Sequence, residues 1–158
     1  MGIKKTNAMR ELDKNKIEYE ALQYEVDENY LGAVSVSAKT GEDITKVFKT
    51  LALVNEKDEL FIACIPGSDE INLKELAKII KTKKLDMLEM KKLQERTGYI
   101  RGGCSPIGIK KKHKTFIHKS CLDKDYIVIS GGQRGVQIKL NPLDLIKVLN
   151  MQVENIII

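Results

Sequence analysis

The sequence predicts an α+β fold in which helices flank a mixed, largely antiparallel β-sheet. Strand patterns alternate with helical patterns but arrive mostly in hairpins, which is typical of antiparallel pairing rather than of a parallel Rossmann-type sheet. Hydrophobic residues make up 42% and charged residues 31% of the 158 residues, the balance of a globular chain with a core of its own. Three prolines and no repeat or linker-like tract punctuate the chain, so we expect a single domain over residues 1–158.

The first elements are predicted from capping residues and from periodicity. Thr6 is an N-cap candidate for a helix that ends near Asn15. Residues 17–24, IEYEALQY, alternate apolar and polar side chains as a half-buried strand does. Residues 34–46 suit a short helix that is broken at Gly41.

The middle of the chain predicts a hairpin followed by two helices. The segments KVFKTLALV and ELFIACIP are rich in branched or aromatic residues and are joined by a polar connection, as hairpin arms are. Asn72, with Glu75 three residues later, caps the next helix. DMLEM is a strand candidate, and a further helix covers roughly residues 91–97, closed by Gly98 in a left-handed conformation.

The last third is predicted to be rich in strands. TFIHKS, DYIVIS and VQIKL are the strands, and the last two flank GGQRG as the arms of a glycine-turned hairpin. Asn141 then caps a helix that has Pro142 at its first position and runs to about Leu149. VENIII closes the chain as a strand.

Charge is distributed unevenly and suggests a polyanionic partner. The net charge is +5, and KKKHK at residues 110–114 lies directly after a glycine-rich loop, with a second cluster at Lys81, Lys83 and Lys84. Such patches attract nucleic acid through counterion release, although a charge run is also the ordinary mark of a solvated face. Both interpretations stay open for KKKHK.

The sequence indicates a cytoplasmic protein with no membrane partner. No apolar run approaches the roughly 20 residues of a transmembrane helix, and the N-terminus lacks the apolar core of a signal peptide. The three cysteines have no CxxC spacing, which favours a reducing compartment over a disulfide framework or a zinc site.

Several common catalytic chemistries lack their residues. Cys104 would need a histidine to lower its thiol pKa, and only His113 and His118 are available, so an inert packing role is the alternative. The two histidines form no recognisable metal-ligand set, and no P-loop, GxGxxG or GxSxG motif is present. We therefore expect no metal or other cofactor.

What remains is a site built from backbone amides and isolated polar groups. The loops GGCSPIG and SGGQRG, with Ser130 and Arg134 at the rim, can present N–H groups to an oxyanion, or can simply be tight turns. Lys49 shares a strand face with apolar residues, so it points either into a cleft or along the strand end to solvent. Tyr24 is either a core residue or a wall of that cleft.

Taken together, VFKTL, TGYIRGGCSPIG and SGGQRG resemble the motifs of YbaK-type aminoacyl-tRNA deacylases, a family similar to the editing domain inserted in bacterial prolyl-tRNA synthetases. The resemblance covers nearly the whole chain and implies the barrel-like sheet of that domain type. It implies hydrolysis of mischarged Cys-tRNA(Pro), with Cys-tRNA(Cys) a further substrate. The implied partners are aminoacyl-tRNA and prolyl-tRNA synthetase, and not DNA.

The resemblance also implies the site residues. Lys49, at the tRNA 3′ end, is the residue most tied to activity, and Gly102 and Ser130 join it as catalytic residues that, with Tyr24, form the walls of the aminoacyl pocket. The other substrate-binding residues implied are Gly103, Pro106, Gly131 and Arg134. In this branch the thiol of the substrate attacks its own ester, so Cys104 would be a small side chain facing the packing. Many relatives carry a histidine where this chain has Leu22, and its role does not transfer.

Two alternatives remain open at this point. The same cleft could serve a noncatalytic module that binds an aminoacyl group or an RNA end, because fold alone does not establish chemistry. It could also serve a deacylase for Ala-tRNA(Pro) or another small aminoacyl-tRNA. An alanyl ester has no thiol and would require an activated water.

Overall fold

Two β-sheets with helices packed against them form the architecture of the computed structural model, which describes residues 4–27, 29, 31–109 and 113–158. The helices are α1 (Asn7–Lys14), α2 (Ala33–Thr40), α3 (Leu73–Ile80), α4 (Leu93–Thr97) and α5 (Pro142–Leu149). The strands are β1 (Glu20–Gln23), β2 (Phe48–Asn55), β3 (Leu60–Pro66), β4 (Leu85–Met87), β5 (Lys114–His118), β6 (Ile127–Gln133), β7 (Val136–Leu140) and β8 (Gln152–Glu154). Short 3₁₀ turns lie at Ile44–Lys46, Met90–Lys92 and Lys119–Asp123.

The smaller sheet has the order β1-β7-β6 and is antiparallel throughout. The larger has the order β4-β2-β3-β5-β8, in which β5 runs parallel to β3 and to β8. A bridge between Val47 and Val128 links the two sheets. The predicted α+β class with largely antiparallel pairing is confirmed.

The expected barrel-like sheet is not closed. Among the described residues the strands form two separate sheets, and the larger one has open edges at β4 and β8. Each of these edge strands has only three residues, and β4 pairs with β2 only at Leu53, Val54 and Asn55. So short a ladder cannot carry the strand tilt and stagger that close a barrel.

The predicted helix caps are present. The side chains of Thr6, Asn72 and Asn141 accept hydrogen bonds from the first turns of α1, α3 and α5, and thereby satisfy amides that the helices leave unpaired. Gly41 and Gly98 close α2 and α4 with φ of 75° and 86°. These local signals predicted all five helices to within a few residues.

The predicted strands are confirmed, but three of them are shorter than the sequence patterns suggest. Within residues 17–24, only Glu20–Gln23 pair with β7. DMLEM contributes only Asp86 and Met87 to β4 before a 3₁₀ turn begins at Met90. At the C-terminus, β8 ends at Glu154, and Ile157 makes an isolated bridge to Ile71.

The apolar core lies on both sides of β2 and β3. Leu51 and Leu53, on one face of β2, pack with α3 through a cluster that contains Leu76 and Ala77. A second cluster joins α1 and α5 to β6 and β7. Burial of each large aliphatic side chain contributes about 1.5–3 kcal/mol, so these clusters hold both sheets in place around the site.

None of the helices in the described part of the chain combines the length and the apolar character that crossing a bilayer requires.

Candidate active site

A small cleft lies where the two sheets meet. Its volume is about 160 Å³, below the range usual for drug-sized ligands, so it suits a small group. Four segments line it: the start of α2, the start of β2, the first glycine loop and the facing ends of β6 and β7. The lining residues are Leu31, Gly32, Ala33, Val36, Val47, Phe48, Lys49, Thr50, Gly102, Cys104, Ser130 and Gln137.

The cleft brings together Lys49, Gly102 and Ser130, which are distant in the sequence. Lys49 is half-buried on β2, and its ammonium makes no ion pair or hydrogen bond with the described residues. A lysine that lines a cleft without a protein partner is available to a bound anion or to a developing negative charge. Of the two orientations considered for Lys49, its place in the lining favours the one directed to the cleft.

Backbone groups of β2 also face this region. The Ala52 carbonyl accepts from the Leu88 amide at 2.9 Å on the edge of β2 opposite β3. Since backbone groups alternate along a strand, the N–H and C=O of Thr50 lie on the same edge. β4 begins to pair only at Leu53, so this edge has no strand pairing at Thr50 within the described residues. The Thr50 amide is therefore a candidate donor to a ligand.

The N-terminus of α2 forms another wall. Gly32, its N-cap, has no side chain to satisfy the amides of the first turn, and the turn contains no acidic residue. These amides and the helix dipole give the wall a partial positive charge. Together with Lys49, they make the cleft electropositive.

Close backbone contact holds α2 at the cleft. The Gly67 amide donates to the Val47 carbonyl at 2.8 Å. A Cβ atom at Gly67 would lie 2.0 Å from the Cβ of Ala33, a separation that no pair of side chains can occupy. Glycine at position 67 is therefore required for the approach of α2.

The first glycine loop packs directly on the β6–β7 turn. Gly102 has a φ of 84°, and a Cβ there would lie 3.3 Å from Leu31 and 3.4 Å from the Nε of Arg134. A Cβ at Gly103 would lie 3.1 Å from the backbone nitrogen of Arg134. The Arg134 Nε donates to the Arg101 carbonyl at 2.7 Å, which ties the two loops together.

Four of the sequence-predicted substrate residues thus lie beside the cleft rather than in its lining. Gly103 and Arg134 join the loops, and Pro106 is buried. A Cβ at Gly131 would lie 2.7 Å from Val136 Cγ1, so this glycine permits close packing within the hairpin. Their geometry supports the shape of the cleft, and any contact with substrate stays a prediction.

Ser130 lies at the last regular position of β6 before a register shift between Ser130 and Gln133. Its Oγ accepts from the Gly132 amide at 3.2 Å. That bond uses the oxygen as an acceptor and leaves the hydroxyl proton for a ligand. The Ser130 hydroxyl is therefore a candidate donor to a ligand.

Tyr24 lies behind the cleft rather than in its lining. It follows β1, and its amide donates to the Gly135 carbonyl at 3.0 Å. Its ring, like Leu22, packs against the cluster of Val36, Val47 and Val128. Two of these valines line the cleft, so Tyr24 supports the wall from behind.

Cys104 is in the lining and is a poor nucleophile. Burial raises the pKa of its thiol to about 11, while a hydrogen bond with Thr97 acts in the opposite direction. The ring nitrogens of His118 lie 2.9 Å from Ser120 Oγ and 3.1 Å from Asn155 Oδ1, so this histidine is engaged elsewhere. The thiol is therefore neutral near pH 7. Cys104 faces the cleft as well as the packing, which differs from the sequence-based expectation.

The two other cysteines are core residues. Burial raises the pKa of Cys64 to about 12 and that of Cys121 to about 11. Cys64 Sγ lies 3.8 Å from the Thr50 hydroxyl and so supports the cleft from β3. All three thiols are free.

A charged cluster fixes the chain where it leaves α2. The Tyr126 hydroxyl donates to Glu42 at 2.8 Å, and Lys139 lies 3.5 Å from the same carboxylate. The ammonium groups of Lys46 and Lys139 lie 4.1 and 4.0 Å from the centre of the Tyr126 ring. These cation–π contacts and hydrogen bonds connect the end of α2 to both sheets.

Sequence reasoning missed Thr50, Gln137 and the start of α2. Gln137 is only 4% exposed, yet its side-chain amide makes no hydrogen bond with the described residues and lines the cleft. A glutamine between two apolar residues of VQIKL was the available signal, because a polar residue at a buried strand position requires a partner. A ligand in the cleft would supply that partner.

Two further sequence expectations concern regions outside the cleft. Lys110, Lys111 and Lys112 of KKKHK lie outside the described residues, whereas His113 lies beside a separate hollow of about 550 Å³. Over the ranges that the structure describes, no group of three His, Cys, Asp or Glu side chains is arranged to hold a metal ion.

Comparison with known proteins defines the class to which this site belongs. Residues 27–148 match the aminoacyl-tRNA editing domain, so the chain belongs to that family. It is 42% identical over 148 residues to EbsC of Enterococcus faecalis, whose provisional name is Cys-tRNA(Pro)/Cys-tRNA(Cys) deacylase, with coverage of 94% of this chain and 90% of EbsC. It is also 28% identical to the proline–tRNA ligase of Brachyspira hyodysenteriae over 109 residues. This match covers 64% of the present chain and 19% of the ligase.

Solved structures agree on the fold. A protein provisionally described as a trans-editing enzyme for prolyl-tRNA synthetase superposes with a TM-score of 0.82 at 17% identity, covering 96% of this chain and 95% of that one. The hypothetical protein APE2540 gives a TM-score of 0.89 at 15% identity, with coverage of 97% and 100%. The resemblance drawn from the three sequence motifs is confirmed.

Proposed function

We propose that this protein is a trans-acting editing enzyme that removes cysteine from mischarged Cys-tRNA(Pro), with Cys-tRNA(Cys) as a further substrate. The observation that carries the proposal is the meeting of Lys49, Gly102 and Ser130 in one small electropositive cleft. The names of the 42%-identical relative and of the structural neighbour point the same way. Its place of action is the cytoplasm, where tRNA is charged.

The groups in the cleft suit the binding and polarisation of an ester. The ammonium of Lys49 lies at the tRNA 3′ end, and the amide of Thr50 and the hydroxyl of Ser130 are donors to the ester oxygen. Donors that are already oriented stabilise an oxyanion without reorganisation during the reaction. Gly102 permits the backbone to come close to the aminoacyl group, since it has no Cβ.

The thiol of the substrate acts as the nucleophile. Its sulfur attacks the carbonyl carbon of the same aminoacyl ester, the C–S bond forms, and the C–O bond to the terminal ribose breaks. The thiol proton passes to the ribose oxygen, and water then opens the cyclic thioester to free cysteine. Holding the two groups of one substrate in reactive geometry contributes about 7–11 kcal/mol in favourable intramolecular cases.

The small volume of the cleft suits an editing site that accepts only small aminoacyl groups. A synthetase pocket for proline rejects cysteine poorly, because side chains of similar size differ little in binding free energy. A cleft of about 160 Å³ admits a cysteinyl group and excludes larger ones. Selection of tRNA(Pro) is shared with prolyl-tRNA synthetase, which we propose as a partner.

Single-turnover hydrolysis of Cys-tRNA(Pro) in a metal-chelating buffer tests the proposal. We expect cysteine release well above the spontaneous rate, and release from Ser-tRNA(Pro) close to that rate because a hydroxyl is the weaker nucleophile. If no ester is cleaved faster than without protein, the cleft is a binding module. If the cysteinyl and seryl esters are cleaved equally, thiol assistance is wrong.

Replacement of Cys104 by alanine is expected to change the deacylation rate less than about twofold. The raised thiol pKa keeps the Cys104 sulfur protonated, so it contributes packing rather than chemistry. Since a raised pKa moves ionisation to higher pH, alkylation of Cys104 by iodoacetamide should be slow at pH 8 and should rise steadily with pH until it levels off near pH 11. A folded Cys104→Ala protein without activity would restore the enzyme-thiol mechanism.

Replacement of Gln137 by methionine is expected to lower kcat/KM about tenfold or more. We assign its carboxamide oxygen, which has no partner among the described residues, to the α-ammonium group of the substrate. Hydrogen bonds to charged groups contribute about 1.5–3 kcal/mol. Gln137→Glu keeps an acceptor for the α-ammonium group, so its KM should rise less than that of Gln137→Met, while its negative charge opposes the oxyanion and lowers kcat. Equal activity of Gln137→Met and wild type would contradict this role.

A further inference from the structure

The exposed face of α3 carries a stripe of lysines that the catalytic proposal does not use. Lys74 and Lys78 lie one helical turn apart, opposite the apolar face that packs on β2. Lys81, which caps the C-terminus of α3, and then Lys83 and Lys84 continue the stripe into the loop before β4. All five residues are exposed. We call this set the α3 lysine stripe.

The charge of the stripe is not balanced by the protein. Residues 74–84 contain five lysines and one glutamate, a net charge of +4 out of the +5 of the chain. Lys84 lies 3.6 Å from Asp86, whereas the other four ammonium groups have no ion-pair partner within the described ranges. Like charges at i and i+4, as at Lys74 and Lys78, destabilise a helix by a few tenths of a kcal/mol. A polyanion would remove this repulsion.

The stripe lies on the side of the larger sheet to which Lys49 belongs. Side chains alternate along β2, so Lys49 shares a face with Leu51 and Leu53, and these leucines pack with α3. Lys49 lies at the start of β2, and Thr82 contacts Glu56, just beyond its end, at 2.6 Å. Six residues of strand separate Lys49 from Asn55, or about 20 Å. The end of the stripe at Thr82 thus lies about 20 Å from Lys49, on the face of the sheet that packs with α3.

Two depressions in the protein surface adjoin the α3 lysine stripe. A depression of about 560 Å³ runs between α3 and the start of β4 and includes Lys74, Lys78, Lys83 and Lys84 in its wall. A second, of about 550 Å³, includes Lys81 and Lys114. Glu56 in this second wall is already bonded to the Thr82 hydroxyl and to the amides of Lys83 and Lys84. Hydrogen bonds within the protein therefore already stabilise the negative charge of Glu56.

We propose that the α3 lysine stripe binds the phosphate backbone of the acceptor stem of the tRNA whose aminoacylated 3′ end occupies the cleft. This inference rests on the proposed function. The unpaired 3′ tail bridges the distance between cleft and stripe, and the paired stem then lies along α3. Recognition is through phosphates and shape, as is usual for double-stranded RNA, and is independent of sequence.

The test compares two triple variants of equal charge. Lys74→Gln/Lys78→Gln/Lys81→Gln removes the lysines of α3 and of its C-cap. Lys4→Gln/Lys14→Gln/Lys147→Gln removes three exposed lysines of the N-terminal segment, α1 and α5. The dissociation constant of an uncharged tRNA(Pro) transcript is measured at several salt concentrations, and kcat/KM is measured with Cys-tRNA(Pro) and with a cysteinyl ester of adenosine, which has no stem.

We expect the stripe variant to lose at least about tenfold in affinity at low salt, with a salt dependence shallower by about 2–3 in log–log slope, since each lost phosphate contact removes about 0.7–0.9. Its kcat/KM should fall with Cys-tRNA(Pro) and stay unchanged with the adenosine ester. Wild-type affinity and slope, or equal losses in the second variant, would overturn the proposal. An effect that emerges only when prolyl-tRNA synthetase is added would also overturn it, in favour of a protein-docking face. If wild-type protein cleaves no ester, the proposed function fails while the binding measurement still judges the stripe.

Discussion

Replacement of Lys49 by alanine is expected to lower the single-turnover rate of Cys-tRNA(Pro) deacylation at least about tenfold, which corresponds to about 1.4 kcal/mol of transition-state stabilisation. Lys49 lines the cleft, and its ammonium has no protein partner among the described residues. In the proposed site, its removal therefore leaves the tRNA 3′ end and the developing oxyanion without their positive charge. The measurement is the rate of cysteine release under single-turnover conditions.

Three controls separate chemistry from folding and from charge alone. Thermal unfolding of Lys49→Ala should match that of wild type, because the side chain is half-buried and makes no ion pair. Lys14→Ala, which removes an exposed lysine of α1, should retain full activity. Lys49→Arg keeps the charge but changes the donor geometry, and we expect intermediate activity. A folded Lys49→Ala protein with wild-type turnover would contradict the proposed site.

Replacement of Gly67 by alanine is expected to lower the free energy of unfolding by about 1–3 kcal/mol and to lower deacylation with it. The new methyl group would lie 2.0 Å from Ala33 Cβ and 3.1 Å from the Val47 carbonyl oxygen, so the N-terminus of α2 has to move away from β2. That movement widens the cleft, since Ala33 and Val47 both line it. Chemical denaturation and single-turnover kinetics measure the two effects.

The double variant Gly67→Ala/Ala33→Gly tests the cause of this effect. Removal of the Ala33 methyl group relieves the closest contact, so the two substitutions should be non-additive and the double variant should regain much of the lost stability. Ala33→Gly alone is the control, because it removes the same methyl group without adding one at position 67. Additive losses in the double variant would show that the contact does not determine the position of α2.

Much of the fold could be predicted from local signals. Thr6, Asn72 and Asn141 cap helices where the sequence indicates, and Gly98 closes α4, because capping depends on residues three or four positions apart. The division into two sheets could not be predicted this way. It depends on how far β4 and β8 extend, and therefore on pairing between residues that are distant in the chain.

Some residues of the candidate site could be predicted from the sequence, and others could not. Lys49, Gly102 and Ser130 stand in recognisable motifs, and the structure brings them together. Gly67 follows a proline and precedes Ser68 and Asp69, so from its sequence it is an ordinary turn glycine, and only its contact with Ala33 reveals its role. Gln137 carries a weak signal, a polar residue within an apolar strand, whose meaning depends on the cleft that it faces.

The most direct test of the central claim compares Cys-tRNA(Pro) and Ala-tRNA(Pro) side by side, with wild-type protein and with Lys49→Ala, in metal-chelating buffer. The two esters differ in the thiol that we assign as nucleophile. We predict rapid loss of cysteine that depends on Lys49, and loss of alanine at the spontaneous rate with both proteins. Lys49-dependent cleavage of the alanyl ester as fast as that of the cysteinyl ester would contradict the account and would require an activated water in the cleft.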